Sequence, residues 1–338
     1  MTTTMTKTTP PVRWGILSTA KIAREKIIPA LRENPAAHEI VAIASRSADS
    51  AQAAARQFGI ATAHASYEAL IDDPNVEAIY NPLPNHLHVP LTLAAAQAGK
   101  HVLCEKPFAL HAAELDVLRP YAGQVHIREA FMVRHHPQWA AARAHVRAGE
   151  IGTLRYMQVP FSYYNDDPAN IRNAADIGGG AMYDIGCYAI TAGRWFFEAT
   201  PQRVVAMIDR DPAFQTDRLA SALLDFGAGR QLALTVSTQS VRYQRVQLVG
   251  TLGRIEIEMP FNPGEGAQTR YTIQRQGGTA LETITLAGAN QYALQCDAFA
   301  RAVRGETPDA AGIEDAAANL RVIEAVFASA RNGRVETV

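Results

Sequence analysis

The sequence predicts two structural units: a doubly wound parallel α/β sheet, then an α+β unit with a large, mostly antiparallel open sheet. Three observations support this prediction. The 338 residues suffice for two domains at roughly 150 residues each. Short apolar runs alternate with helical stretches as far as residue 131. After Leu154 the hydrophobic pattern changes, and strand-like segments follow one another with few helices between them.

Apolar runs in the first part of the chain are separated by segments with helical spacing. The predicted strands are 12–17, 40–45, a short one at Ala63, 76–83, 101–104 and 125–131. The predicted helices are 20–31, 48–58, 66–71, 86–98 and 112–118. Such βαβ alternation predicts a parallel sheet covered on both faces, and right-handed crossovers make it doubly wound.

The second part contains strands joined by short turns. The predicted strands are 154–161, 203–208, 219–226, 231–238, 244–249, 254–259, 271–276 and 282–286. Glycines at 227, 229, 277 and 278 mark turns between consecutive strands, which favours antiparallel pairing. The predicted helices are 138–147, 182–197, 292–304 and 314–329. We therefore divide the chain into a flexible leader (1–11), a first domain (12–130) and a second domain (131–338), whose last helix is free to pack back on the first.

Composition and charge exclude several classes of protein. Lys plus Arg number 32 and Asp plus Glu 33, a formal net charge of −1, so no strong field attracts nucleic acid or an anionic membrane. Apolar residues make up 48% and charged residues 19%, which excludes a disordered chain. The apolar runs are far shorter than the roughly 20 residues that span a bilayer. Three widely spaced cysteines and a Thr-rich start without an apolar core predict a reduced, cytoplasmic protein.

The first strand leads into a helix through Gly15, Ser18, Thr19 and Ala20. In a dinucleotide fingerprint Gly15 would make the tight turn, and Ser18 and Ala20 replace the later glycines. Backbone N–H groups at the start of the helix would face a pyrophosphate, with the two hydroxyls as further donors. An ordinary strand–helix turn is the alternative. The position at the first of several βαβ units favours nucleotide binding.

The second strand ends at Ser45-Arg46-Ser47, without the carboxylate with which an NAD site usually binds the ribose 2′-hydroxyl. Arg46, flanked by two serines, is suited to bind a 2′-phosphate. A solvated surface arginine is the alternative. The missing acid and the Arg–Ser group together predict NADP as the cofactor.

Two segments carry candidate catalytic side chains. Lys106 closely follows the strand 101–104, and the carboxyl ends of strands border the ligand crevice in open α/β sheets. Three glycines, 178–180, precede a helix on which Asp184 and Tyr188 share one face. Because tyrosine has a reference pKa of about 10, we expect Lys106 to lower the pKa of Tyr188 for proton transfer, with Asp184 positioning a substrate hydroxyl or the lysine. A plain strand-end lysine and a core tyrosine are the alternatives.

These motifs resemble the glucose–fructose oxidoreductase/inositol dehydrogenase (Gfo/Idh/MocA) family. The resemblance rests on Glu105-Lys106-Pro107, on 84–88, on 98–102 and on 178–188, and it covers the chain from Val12 onwards. It implies that Lys106 is catalytic and that Tyr188 is the proton donor or acceptor. Many members have histidine at the latter position. The tyrosine resembles aldose–aldose oxidoreductases, xylose dehydrogenases and dimeric dihydrodiol dehydrogenases, a branch that generally uses NADP.

The resemblance also implies that the first domain binds the dinucleotide, and that the second binds substrate and forms a homodimer or homotetramer through its sheet. Together with the positions above, the expected cofactor contacts are Gly15, Ser18, Thr19, Ala20, Lys21, Ile22, Ser45, Arg46, Ser47, Leu83, Asn85, His88, Glu105, Lys106, Arg172 and Tyr292. The expected substrate contacts are Lys106, Phe161, Tyr163, Arg172, Asp184 and Tyr188. Phe161 and Tyr163 can stack on a pyranose face, with core packing as the alternative. The histidine pairs lack partners at ligand spacings, so no metal site is predicted.

The expected activity is NADP-dependent oxidation of aldopyranoses at C1 to aldonolactones, with Tyr188 taking the proton of the C1 hydroxyl. An enzyme that retains NADP(H) would then reduce a second aldose to an alditol, as an aldose–aldose oxidoreductase. A trans-dihydrodiol or keto-sugar oxidoreductase on the same machinery is the alternative. A non-catalytic NADP-binding regulator is a third, and the presence of both Lys106 and Tyr188 disfavours it.

Overall fold

A computed structural model describes residues 10–278, 280–307 and 312–338; residues 1–9 of the predicted leader lie outside the described residues. In this part of the chain, six strands form the first sheet: β1 (Val12–Ile16), β2 (His38–Ala44), β3 (Thr62–His64), β4 (Ala78–Asn81), β5 (His101–Cys104) and β6 (Ile127–Glu129). Their spatial order is β3-β2-β1-β4-β5-β6, and all neighbours are parallel. The predicted doubly wound parallel sheet is confirmed.

The strands of the first sheet are apolar because helices cover both faces. Trp14, Ile16, Ile43 and Ile79 are completely buried. A parallel sheet with crossover helices on both sides has no solvated face, so its strands are nearly continuous apolar runs. The α-helices of this unit are α1 (Ile28–Arg32), α2 (Ala48–Phe58), α3 (Tyr67–Ile71) and α4 (His88–Gln97).

Two predicted helices of this unit depart from α geometry. The helix predicted at 20–31 contains a π-helical turn, Ala23–Ile27, before α1. Pro29 has no N–H to donate to the carbonyl four residues earlier, which interrupts the regular hydrogen-bond pattern. The helix predicted at 112–118 is a 3₁₀ helix, Ala112–Tyr121.

The second sheet contains ten strands within the described residues. They are β7 (Leu154–Tyr164), β8 (Arg203–Arg210), β9 (Asp217–Asp225), β10 (Gln231–Ser237), β11 (Gln239–Gln244), β12 (Val246–Gly250), β13 (Gly253–Ile257), β14 (Thr269–Arg275), β15 (Glu282–Leu286) and β16 (Glu336–Thr337). The order is β15-β14-β13-β12-β7-β10-β9-β8-β16, with β11 also paired to β7. Among these pairs β7 and β10 run parallel and the others antiparallel, which confirms the predicted mostly antiparallel sheet. The sequence did not predict β11 and β16.

Helices cover one face of the second sheet and leave the other open. They are α5 (Pro137–Arg147), α6 (Cys187–Phe197) and α8 (Ile313–Asn332), whereas α7 (Gln291–Val303) packs against α1 and the π-helical turn of the first unit. Along β10, buried Leu232 and Leu234 alternate with exposed Gln231 and Ala233, as expected when one face meets the core. Helix α8 packs on β8 and also against the 3₁₀ helix of the first unit. The open face exposes apolar side chains, including Tyr156, Val205, Met207 and Leu223.

None of the helices in the described ranges is both long enough and apolar enough to cross a membrane.

A carboxyl group is enclosed where β6 ends. Glu129 Oε1 accepts a hydrogen bond from the Phe108 backbone N–H at 2.9 Å. Its Oε2 is buried and has no hydrogen-bond partner among the described residues. Burial, reinforced by the nearby Asp315 carboxylate, raises the pKa of Glu129 to about 7, against the opposing effect of Arg134.

This raised pKa makes the stability of the protein depend on pH. The folded protein keeps the Glu129 proton up to about pH 7, whereas an unfolded chain releases it near pH 4.5, so this group reduces stability as the pH rises between those values. Glutamine cannot ionise, so the unfolding free energy of Glu129→Gln relative to that of the native protein should increase by about 3 kcal/mol as the pH rises from 4.5 to 8. Urea unfolding at both pH values measures this, with exposed Glu39→Gln as the control. An equal difference at both pH values would contradict the prediction.

Candidate active site

A cavity of about 730 Å³ lies between the carboxyl ends of the parallel strands and the second sheet. Ligands of open α/β sheets bind at this edge, because loops from adjacent strands diverge there. The cavity wall combines segments that are far apart in the sequence. The expected site residues that line it are Ala20, Lys21, Ile22, Leu83, Asn85, His88, Glu105, Lys106, Phe161, Tyr163, Arg172, Asp184, Tyr188 and Tyr292.

Lys106 reaches across the cavity from the first unit to the second. It follows β5 by two residues, and its peptide bond with Pro107 is cis. Its Nζ donates to the backbone carbonyl of Asp184 at 2.7 Å and to Asp184 Oδ1 at 3.2 Å. Burial alone would lower the pKa of Lys106, but the Asp184 carboxylate raises it above its usual value, so the lysine is charged. This contact agrees with the expectation that Asp184 positions the lysine.

Asp184 is the centre of a network of hydrogen bonds and ion pairs. Besides Lys106, Arg172 Nε lies 3.0 Å from Oδ1, and the Tyr163 hydroxyl donates to Oδ2 at 2.6 Å. Burial would raise the pKa of Asp184, but Arg172 and Lys106 hold it well below its usual range. Two cations and one anion converge here, so these three side chains together carry a net positive charge.

The expected effect of Lys106 on Tyr188 is wrong in this arrangement. The Tyr188 hydroxyl donates to Met132 Sδ at 3.3 Å, and Lys106 Nζ lies over the ring, 4.9 Å from its centroid, instead of beside the hydroxyl. Tyr188 is 6% exposed and packs against Phe131, Phe161 and Phe261. Burial therefore raises the pKa of Tyr188 well above its usual value. The side chain is a protonated tyrosine next to a cation.

Two other expected cofactor contacts join loops that border the cavity. Asn85 Nδ2 donates to the Gly178 carbonyl at 2.8 Å, which links the two units. The ring nitrogens of completely buried His88 lie 2.7 Å from the Pro107 carbonyl oxygen and 2.6 Å from that of Leu83. His88 therefore supports the loops after β4 and β5, and forms part of the cavity wall.

The turn after β1 differs from the fingerprint expectation. Gly15 lies inside β1 and makes no tight turn; a Cβ there would come within 2.7 Å of Leu70 and 2.9 Å of Val76. A side chain at this position would displace the buried side chains of Leu70 and Val76. Ser18 Oγ accepts a hydrogen bond from the Ala20 N–H at 3.1 Å, which shapes the turn into the helix. Gly15, Ser18 and Thr19 stand outside the residues that line the cavity.

The residues after β2, Ser45-Arg46-Ser47, form a polar surface outside the residues that line the cavity. Ser45 Oγ accepts from the Ser47 N–H, and Ser47 Oγ caps α2 by accepting from the Ser50 N–H, both at 3.3 Å. Each hydroxyl proton therefore remains free to donate. The exposed Arg46 interacts with the Tyr67 hydroxyl. Two hydroxyl donors beside a guanidinium fit the 2′-phosphate of NADP.

Sequence reasoning missed several residues of the site. Met132 contacts the Tyr188 hydroxyl, and Phe261 stacks on Phe161 with ring centroids 4.6 Å apart. Arg242 and Asn262 also line the cavity. Arg242 belongs to β11, which was not predicted, while the Asn262-Pro263-Gly264 turn signal was available in the sequence. In the described ranges, no three His, Cys, Asp or Glu side chains converge as a metal site requires.

Comparison with known families identifies the architecture. Residues 12–128 match the oxidoreductase family with an NAD-binding Rossmann fold, and residues 139–256 match the GFO/IDH/MocA C-terminal domain. The chain belongs to the GFO/IDH/MocA family of oxidoreductases. The resemblance noted in the sequence is thereby confirmed, and the protein is an oxidoreductase with this family's two-part architecture.

Individual relatives show which activities occur among proteins similar to this chain. A D-xylose 1-dehydrogenase (NADP(+)) from Haloferax volcanii is 38% identical over 95% of this chain and 98% of its own length. A 3-ketoreductase from Actinomadura kijaniata, solved with NADP and TDP-benzene, has a TM-score of 0.88 at 31% identity, covering 94% and 98% of the two chains. An aldose–aldose oxidoreductase from Caulobacter crescentus has a TM-score of 0.88 at 26% identity, covering 97% and 100%.

The network around Asp184 predicts a measurable change at Lys106. Asp184→Asn removes the carboxylate that raises the lysine pKa and leaves the Arg172 cation unpaired beside it, so the pKa of Lys106 should fall. The pH dependence of Lys106 acetylation, followed by mass spectrometry, measures this shift. Tyr163→Phe, which removes a hydrogen bond and no charge, is the matched control. An unchanged Lys106 labelling profile in Asp184→Asn would contradict the assigned pairing.

Proposed function

We propose that this oxidoreductase uses NADP to oxidise aldopyranoses at C1 to aldonolactones. The observation that carries the proposal is the convergence of Lys106, Asp184 and Tyr188 in one cavity at the carboxyl ends of the parallel strands. The NADP-dependent xylose dehydrogenase relative supports both the cofactor and the substrate class. Sugar oxidation needs a hydride acceptor, a proton-transfer group and a polar contact to the reacting hydroxyl.

NADP is the cofactor, and when bound it supplies the hydride acceptor. Arg46, Ser45 and Ser47 bind its 2′-phosphate, as their free donors allow. Ala20, Lys21 and Ile22 border the cavity at the start of the first helix, where backbone N–H groups favour phosphates.

The proton-transfer step is assigned to Tyr188, with Lys106 as its charged neighbour. As found, Tyr188 is protonated, so it can donate a proton in the direction of sugar reduction. In the direction of oxidation it takes the C1 hydroxyl proton only after it has released its own proton to solvent. Release of the hydroxyl from Met132 is needed before it can bond to a sugar oxygen. The excess positive charge of Lys106 and Arg172 stabilises negative charge that develops on that oxygen.

A keto-sugar reductase is the second candidate function. The ketoreductase relative and the protonated state of Tyr188 favour it, because carbonyl reduction consumes a proton. An aldose–aldose oxidoreductase, which retains NADP(H) and reduces a second aldose to an alditol, combines both half-reactions and has a structural relative.

We propose a homodimer or homotetramer formed through the open face of the second sheet. Exposed apolar side chains such as Met207 and Val205 support this choice. Location in the cytoplasm also stays a prediction. The three cysteines are free and buried, which is compatible with a reducing compartment.

The products formed from sugar alone distinguish the candidate functions. Purified protein is mixed with excess glucose or xylose without added nucleotide, then analysed for lactone and alditol. Equal amounts of both products indicate retained NADP(H); NADP reduction only after nucleotide is supplied indicates an ordinary aldose dehydrogenase. In either case Tyr188→Phe should lose most turnover and still bind NADP, since only the hydroxyl is removed. Full turnover in Tyr188→Phe would contradict the role assigned to the tyrosine. If the native protein is inactive with aldoses but active with keto-sugars, the keto-sugar reductase is the correct candidate.

The 2′-phosphate contact gives a separate prediction for cofactor choice. Arg46→Ala should weaken NADP binding about ten- to hundredfold and leave NAD binding nearly unchanged, because charge-assisted hydrogen bonds to the phosphate are lost. Fluorescence titration with NADPH and NADH measures both affinities. Arg56→Ala, which removes an exposed arginine of α2, is the control. Parallel losses for both nucleotides would contradict a 2′-phosphate contact.

A further inference from the structure

A buried carboxylate outside the cavity contacts the start of the helical segment 182–197, which carries Asp184 and Tyr188 and is called the catalytic segment below. Asp217 opens β9 and is 1% exposed. We propose that Asp217 is a positioning residue that holds Asp184 and Tyr188 in their working geometry. This inference rests on the proposed function, in which those two side chains act on the substrate.

The contacts of Asp217 lie at the very start of that segment. Its Oδ2 accepts a hydrogen bond from the Met182 N–H at 2.6 Å, and the Ala181 N–H also bonds to the carboxylate. Its Oδ1 lies against Gly180, where a Cβ would come within 1.9 Å of the oxygen. Gly180 has a φ of +113°, which glycine adopts without the strain that a side chain would cause. The Asp217 carboxylate therefore contacts the turn formed by Gly178, Gly179 and Gly180.

The segment has no cap of its own. The residues before Met182 are three glycines and Ala181, and no side chain of the segment's own N-terminus bonds to its first N–H groups. Unpaired N–H groups at a buried helix start are costly, and a carboxylate there is favoured by the helix dipole. Asp217 supplies this cap from a strand of the second sheet.

The remaining glycines of the turn are held by other parts of the protein. Gly178 lies against Leu110 and Asn85, and a Cβ on Gly179 would come within 2.5 Å of the Arg172 carbonyl oxygen. The Gly180 N–H donates to that same carbonyl at 2.8 Å. The turn therefore joins the first unit, the Arg172 loop and β9, and a shift at Asp217 moves the start of the catalytic segment.

The geometry after the turn is sensitive to such a shift. Met182–Gly186 is a π-helical turn before α6, and Asp184 lies within it. The Asp184 backbone carbonyl accepts from Lys106 Nζ at 2.7 Å. Wide helical turns of this kind are rare and occur mostly where neighbouring groups stabilise them. The contact between Lys106 and Asp184 thus depends on where the segment begins.

Asp217→Asn is a conservative test of the positioning role. Burial raises the pKa of Asp217 to about 7 against the opposing backbone amides, and Arg210 and Tyr183 face the carboxyl. Measurements at pH 8.5 therefore compare an ionised carboxylate with a neutral amide of the same size. The matched control is Asp211→Asn: Asp211 is also buried and accepts the N–H groups of Ala213 and Phe214, in the turn before β9.

Hydrogen exchange measures the positioning role without substrate. Amides of residues 178–188 should exchange about three- to thirtyfold faster in Asp217→Asn, because the neutral amide loses the interaction with the helix dipole and has one acceptor oxygen for two N–H groups. In Asp211→Asn they should exchange at the native rate. Unchanged exchange in Asp217→Asn would overturn the inference. If Asp217→Asn does not fold, Asp217→Ser, a smaller side chain that keeps an oxygen acceptor, is measured in the same way.

Kinetics then link this positioning to catalysis. In Asp217→Asn, kcat should fall about tenfold or more, because misplaced catalytic groups lose most of their effect, while the KM for NADP stays close to native. A loss of affinity for NADP with unchanged kcat would overturn the positioning role. Inactivity of the native protein toward every aldose would instead reject the proposed substrate class, and the exchange measurement would still decide the role of Asp217.

Discussion

The ion pair between Lys106 and Asp184 is the interaction on which the site depends. It joins the end of a parallel strand to the helical segment of the second unit, across the cavity. A buried ammonium group is stable only when it is paired and hydrogen-bonded, so both units must present their partners at the correct separation. Arg172 and the Tyr163 hydroxyl complete the bonding of the carboxylate. The position of the helical segment that carries Asp184 and Tyr188 follows from this pair.

The charges around this pair have a chemical consequence. Lys106 and Arg172 carry two positive charges against the one negative charge of Asp184. Glu105 also lines the cavity, and its carboxyl accepts a hydrogen bond from the Tyr80 hydroxyl at 2.5 Å. The cavity therefore favours a substrate oxygen that gains negative charge during reaction. Aromatic packing around Tyr188 lowers the local dielectric response and strengthens this effect. An alcohol–carbonyl interconversion is the kind of reaction that benefits.

Much of the fold was predictable because it depends on periodicity. Apolar runs separated by helical spacing require a covered parallel sheet, and alternation along β10 requires a sheet with one open face. The site residues were predictable where chain position places them: Lys106 at a strand end, and Asp184 and Tyr188 four residues apart on one helix. The boundary near residue 130 stays a prediction. β11, with Arg242, was missed because its residues are mostly polar and exposed, so it has no alternation of buried apolar side chains to predict a strand.

The sequence by itself determined which groups are present and which element carries each of them, because hydrophobic period and turn chemistry are local properties. Only the tertiary structure decided which atoms meet. Gly15 packs against Leu70 and Val76, which leave little room for a side chain there. The Tyr188 hydroxyl bonds to Met132, while Lys106 lies over the Tyr188 ring. Asp217, more than thirty residues further along the chain, caps the helical segment that begins at Met182. Such contacts depend on side-chain direction and on how the sheets and helices pack, and no spacing rule along one chain encodes them.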